Sequence, residues 1–132
     1  MGTIYQRGQT PTFMARITNS ERNRGNRYSL LSPEEVTGIQ YSILKMASPD
    51  GGGTPYAVTG HIDQAIPLSA LLEELETNDP NWTPDRDGYN FKFSPDSRVH
   101  PAFPEAGNYR VTFKIIPTEG NPIVWSRSLR FV

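Results

Sequence analysis

The stretch that decides the fold is Asn108-Tyr109-Arg110-Val111-Thr112-Phe113-Lys114-Ile115-Ile116, followed by Pro117-Thr118-Glu119-Gly120-Asn121 and then by residues 122–132. Tyr109, Val111, Phe113 and Ile115 share one parity, and Arg110, Thr112 and Lys114 share the other. Side chains of an extended chain point alternately to opposite faces, so this period of two predicts a strand with one apolar and one wet face. Ile123, Trp125, Arg127, Leu129 and Phe131 keep the same rule beyond the Pro/Gly/Asn loop, which makes the two runs a β-hairpin.

Working outward from the hairpin, Tyr89-Asn90-Phe91-Lys92-Phe93 alternates as strictly, with Tyr89 and Phe91 as core-forming side chains. Just before the hairpin, Gly107-Asn108-Tyr109 places a tyrosine at a strand start, the pattern of a tyrosine corner, whose hydroxyl bonds backbone a few residues upstream. A plain buried strand tyrosine is the alternative, and Tyr109 is structural in both. Ile39, Tyr41 and Ile43 form one face of a segment at 38–46 whose other face is also partly apolar, as a central strand requires. Phe13, Ala15 and Ile17 alternate in 12–18, residues 3–7 form a first apolar segment, and 56–62 alternates through Tyr56, Val58 and Gly60. Ser32-Pro33-Glu34-Glu35 combines a capping serine, proline at the first helical position and glutamate three residues on, which predicts a single helical turn. Residues 69–77 predict the one short helix, with Leu71, Leu72 and Leu75 inward and Glu73, Glu74 and Glu76 outward. Twelve prolines and eleven glycines sit between the apolar runs. About seven short strands so punctuated predict an antiparallel two-sheet sandwich filling residues 1–132 as a single domain.

Composition narrows the chemistry. The chain has 132 residues, no cysteine and a net charge of −1. The missing thiols exclude a disulfide framework, a thiolate zinc site, an iron–sulfur cluster and a cysteine nucleophile. Near-zero net charge offers no global field for nucleic acid or an anionic membrane. No run approaches the roughly 20 apolar residues of a spanning helix, and the first residues lack the apolar core of a signal peptide.

His61 and His100 are the two histidines, and neither has a partner at metal-ligand spacing. His61 and Asp63 share a parity and are placed for one hydrogen bond, but no G-x-S-x-G elbow presents a serine to them. The expectation is a protein that is not an enzyme, with no catalytic residue, metal or cofactor. Asp79, Asn81, Asp85, Asp87 and Asn90 crowd one segment, yet no EF-hand register fits it. A turn built on Asp/Asn side chains is the first reading and a calcium loop of another kind the second. Trp82 beside it reads as a lid on the core or as a stacking platform.

Charge is distributed unevenly. Residues 1–30 hold Arg7, Arg16, Arg22, Arg24 and Arg27 against Glu21, whereas 61–90 hold Asp63, Glu73, Glu74, Glu76, Asp79, Asp85 and Asp87 against Arg86. Ten of the thirteen cations are arginine, the cation favoured in interfaces. An ordinary solvated surface is one reading. The other is that the basic segment of one copy meets the acidic segment of the next, so that Arg16, Arg22, Arg24, Arg27, Glu73, Glu74, Glu76, Asp79, Asp85 and Asp87 form a heterologous interface. Aromatics are not interleaved with Arg22–Arg27, so direct nucleic-acid binding is not expected.

Taken together, Arg7-Gly8-Gln9-Thr10-Pro11-Thr12-Phe13, Ile39-Gln40-Tyr41-Ser42-Ile43, Val58-Thr59-Gly60-His61, Trp82-Thr83 with Asp85 and Gly88-Tyr89-Asn90-Phe91, and Phe103-Pro104 with Gly107 and Tyr109-Arg110-Val111 resemble small Ig-like proteins encoded in the structural-gene modules of tailed bacteriophages and prophages. The resemblance spans most of the chain and carries over no catalytic residue. It implies an Ig-like sandwich acting as a virion component: a capsid decoration or cement protein, a neck protein or a tail-associated one. Its partners would be copies of itself or other virion proteins, with no membrane and no small-molecule ligand. The place would be the virion, after synthesis in the host cytoplasm. The alternative is an Ig-like binding module recognising a host carbohydrate or protein, with Trp82, Tyr56 and Trp125 as candidate contact aromatics.

Overall fold

The computed structural model describes residues 3–6, 10–18, 30–47, 53–77, 79, 82 and 88–132. Among these residues the chain forms a six-stranded and a three-stranded sheet. The strands are β1 (Thr3–Tyr5), β2 (Phe13–Ala15), β3 (Val36–Lys45), β4 (Tyr56–Ala57), β5 (Gln64–Ile66), β6 (Leu71–Glu76), β7 (Tyr89–Phe93), β8 (Gly107–Pro117) and β9 (Ile123–Phe131). The larger sheet runs β1-β9-β8-β3-β4, with β5 also on the outer edge of β3; the smaller runs β2-β7-β6.

The hairpin of β8 and β9 is the centre of the larger sheet. Its register sets Tyr109 opposite Leu129, Phe113 opposite Trp125 and Ile115 opposite Ile123. On the other flank Tyr41 faces Phe113 and Ile43 faces Val111. Tyr109, Val111, Phe113 and Ile115 are all buried, as their parity requires. Every pair of strands is antiparallel except β1 with β9, which run parallel.

The two layers close on aromatic side chains. Phe13 meets Phe113 edge-on at 5.2 Å, Phe91 meets Phe113 at 5.5 Å and Trp125 at 5.3 Å, and Phe93 lies 5.1 Å from Tyr41. Pairs of this kind each add about 0.5–1.5 kcal/mol beyond the area they bury. At the end where β8 begins, Phe103 stacks on Phe131 at 4.5 Å and meets Tyr109 edge-on. The Tyr109 hydroxyl donates to the Glu105 carbonyl at 2.7 Å and accepts from the Glu105 N–H at 3.1 Å, so the tyrosine corner is present.

The helix expected at 69–77 is not there. A single 3-10 turn at Leu68–Ala70 leads into β6, where Leu71 pairs with Phe91 and Glu76 with Tyr89. Two turns of helix are too short to stand alone, and β7 offers this segment a ladder of backbone partners. Between Leu71 and Glu76 the strand carries three more residues than its partner, and this bulge turns Glu73 and Glu74 outward. Segment 56–62 is strand only over Tyr56–Ala57 and then turns, with Gly60 at φ +81°. The single helical turn at 33–35 is a 3-10 turn, and the Glu35 carboxylate accepts the Ser32 N–H at 3.1 Å.

Candidate functional site

Of the ten charged residues expected at an interface, Arg22, Arg24, Arg27, Asp85 and Asp87 lie outside the described residues. The other five do not behave alike. Arg16 donates through Nη1 to the Gly88 carbonyl at 3.2 Å, which ties the end of β2 to the turn ahead of β7. Asp79, with 11 % of its side chain exposed, receives the Lys92 ammonium at 2.6 Å. That bond raises the Lys92 pKa and neutralises the carboxylate within the chain. Glu76 is half-buried at the end of β6.

Glu73 and Glu74 are exposed on the bulge, and among the described residues no cation pairs with either. Glu73 instead meets Glu34, on the 3-10 turn that packs against β6. The hydrogen bond that the Glu73 carboxyl donates to Glu34, together with the negative charge of Glu34, raises the Glu73 pKa, with Glu74 adding to the rise. The bonds to Glu73 and to Ser32 lower that of Glu34. The two carboxyls therefore titrate as a pair, one holding the proton that the other gives up. The smaller sheet thus carries concentrated negative charge along its β6 edge.

Asn90 adjoins the oxygen-rich segment in sequence but has a different place in the fold. It is fully buried on β7. Its Oδ1 accepts the Ile17 N–H at 2.6 Å, and its Nδ2 donates to the Ile17 and Leu31 carbonyls at 2.9 and 3.5 Å. With the Thr18–Leu30 bridge and the Leu31 N–H to Ile17 carbonyl bond, it holds together the two ends from which segment 19–29 departs. Among the described residues, no group of three or more acidic, histidine or cysteine side chains is arranged to hold a metal.

His61 is 2 % exposed and both ring nitrogens are engaged. Nε2 donates to the His100 carbonyl and Nδ1 shares a hydrogen bond with the Tyr41 hydroxyl, each at 2.6 Å. Burial raises the Tyr41 pKa, helped by the charge of Asp96. Asp63 is not His61's partner. It sits at φ +48°, its N–H donates to the Ser42 hydroxyl oxygen at 2.9 Å, and its carboxylate accepts from that hydroxyl at 3.3 Å. The nearby serine is thus bonded to Asp63 and not to the histidine.

The candidate aromatics separate clearly. Trp82 is half-buried against Tyr89 at 5.6 Å, and Trp125 stacks on Phe113 at 5.1 Å. Tyr89 and Phe91 are buried. Tyr56 alone of the three candidates is exposed, to 61 %, on β4. It borders a groove of about 650 Å³ between β4 with its following turn and the segment before β8. Val58 contributes to its floor, Pro101 and Pro104 to one wall, and Lys45, His100 and Glu105 to its rim. The run His100-Pro101-Ala102-Phe103-Pro104-Glu105 is the sequence signal for this wall, legible as rigid chain but not as half of a cleft.

No family model matches the chain, and comparison with curated proteins and with solved structures yields no match either. No helix of the described residues is long and apolar enough to cross a membrane.

Proposed function

We propose that this chain is a non-enzymatic Ig-like domain that serves as an assembly component of a phage virion, acting through contacts with copies of itself or with other virion proteins. The observation that carries the reading is the outward pair Glu73 and Glu74, crowded by Glu34 and without a cation of their own among the described residues. Like charges held this close are costly, and a cationic partner surface relieves them. The bulge that exposes them also interrupts the outer edge of β6, so the contact is made by side chains and not by an added strand.

The Ig-like part is supported by strand order. The larger sheet has β3, β8 and β9 as neighbours and β1 parallel on β9, the smaller has β2, β7 and β6, and the tyrosine corner opens β8. The segments that resemble phage structural-module proteins direct the contact toward a capsid, neck or tail. Sedimentation at low and high ionic strength tests the self-contact: larger species at low salt should dissociate as salt rises, and the E73K/E74K double variant should remain small throughout. A monomer at low salt and high concentration argues against self-association. Particles that assemble and survive normally without this protein would reject the virion role.

A further inference from the structure

We infer that the groove beside Tyr56 is a binding site for a neutral glycan. This inference is independent of the β6 surface and rests on three observations.

First, both walls are built in advance. On one side the Val58 N–H bonds the Ile43 carbonyl at 3.0 Å, the Ile43 N–H bonds the His61 carbonyl at 2.8 Å, and the His61 N–H bonds the Val58 carbonyl at 3.0 Å. On the other, Tyr109 clamps Glu105 through both backbone groups and Phe103 is stacked into the core. Buried His61 joins the two walls by donating to the His100 carbonyl. The His100 ring lies directly over Gly60, where a Cβ would come within 2.5 Å of it.

Second, the rim has unspent bonding capacity. No described buried side-chain nitrogen or oxygen lacks a partner. Around the groove, by contrast, the Tyr56 hydroxyl and ring, the Thr59 hydroxyl and the His100 imidazole have no side-chain hydrogen bond or ring partner among the described residues. Lys45 and Glu105 approach only to 3.7 Å, beyond direct hydrogen-bond distance, so each is open to a further partner.

Third, the charge and shape select the ligand. Lys45 and Glu105 offset one another, so the site has no net charge to favour a phosphate or a cation. Its apolar floor and polar rim match a pyranose, whose ring faces present C–H groups and whose edge presents hydroxyls. The negative face of the Tyr56 ring suits those polarised C–H groups. An extended peptide would need a long edge to pair with, and β4 is two residues. The volume lies within the roughly 300–1,000 Å³ of small-ligand sites.

The test is a backbone-amide NMR titration of the full chain with maltotriose, cellotriose, chitotriose and mannotriose, with inorganic phosphate and a proline decapeptide as competing occupants. At least one trisaccharide should give saturable shifts at Thr59, His100 and Glu105, and Tyr56→Ala should weaken that binding by about tenfold or more. Glu105→Gln, which spares the backbone groups that hold Tyr109, should weaken it as well. No saturable shift with any sugar, shifts that map elsewhere, unchanged affinity in Tyr56→Ala, or binding of phosphate or peptide alone would each overturn the assignment.

Discussion

At the residue scale two side chains show how polar groups are accommodated by the sandwich and its surface. Asn90 sits among aromatic neighbours on β7 and is tolerated because its amide is used by Ile17 and Leu31. Asn90→Leu keeps the side chain near its size but leaves the Ile17 N–H buried without that partner, so a loss of about 2–4 kcal/mol is expected in urea denaturation. The strand pattern of 89–93 places Asn90 correctly on β7, whereas the oxygen-rich composition around it suggests a loop ligand. Composition alone does not say which face a residue occupies. On the surface, Asp96 accepts the Arg98 guanidinium through both oxygens, at 3.0 and 2.8 Å, and its pKa falls to about 2. A lowered folded-state pKa contributes stability above the unfolded value of 3.8, and that contribution is lost as pH falls through about 2. A carboxyl NMR titration should show a midpoint near 2 for Asp96, returning toward 3.8 in Arg98→Ala.

At the scale of elements, β3, β7, β8 and β9 are legible in the sequence because each alternates over five residues or more. The burial of Ile39, Tyr41, Ile43, Phe91, Tyr109, Val111 and Phe113 follows that parity. β6 is not legible. Leu71, Leu72 and Leu75 with Glu73, Glu74 and Glu76 fit the helical period, and what overrides it is pairing with β7 at both ends of the segment, Leu71 on Phe91 and Glu76 on Tyr89, with a bulge between. Local pattern is weaker evidence than a neighbouring strand with open hydrogen-bonding groups. The junction before β7 depends on Gly88, at φ +101°, where a Cβ would lie 2.3 Å from the Glu76 carbonyl oxygen. Gly88→Ala should therefore cost about 2 kcal/mol or more in thermal unfolding. Gly38 provides the contrast, since a Cβ there would meet nothing within 4 Å: Gly38→Ala should be neutral or stabilise by about 0.5 kcal/mol.

At the scale of the whole molecule, the β6 edge and the Tyr56 groove differ in kind. The edge gathers carboxylates of one sign, whereas the groove sets Lys45 against Glu105. Glu73 has a raised pKa, so it loses its charge at a higher pH than an ordinary glutamate, while Glu34 keeps its charge to lower pH. For folding the two shifts oppose: the Glu73 contribution is present below its unfolded pKa and lost as pH rises, and the Glu34 contribution runs the other way. Association through this edge should weaken first as the solution is acidified through the raised Glu73 value, and in Glu34→Gln that weakening should move to lower pH, as light scattering against pH would show. The charge imbalance behind this surface is readable from the sequence, but the Asp79–Lys92 bond and the Arg16 anchor are not, since both join residues far apart along the chain. The two tryptophans, finally, have different ring partners: Trp125 stacks on Phe113 and meets Phe91 edge-on, and Trp82 lies against Tyr89. Their emission is thus a pair of built-in gauges. With Trp82→Phe, the remaining fluorescence would shift to longer wavelength only when the layers part, reporting the opening of the interior without any attached dye.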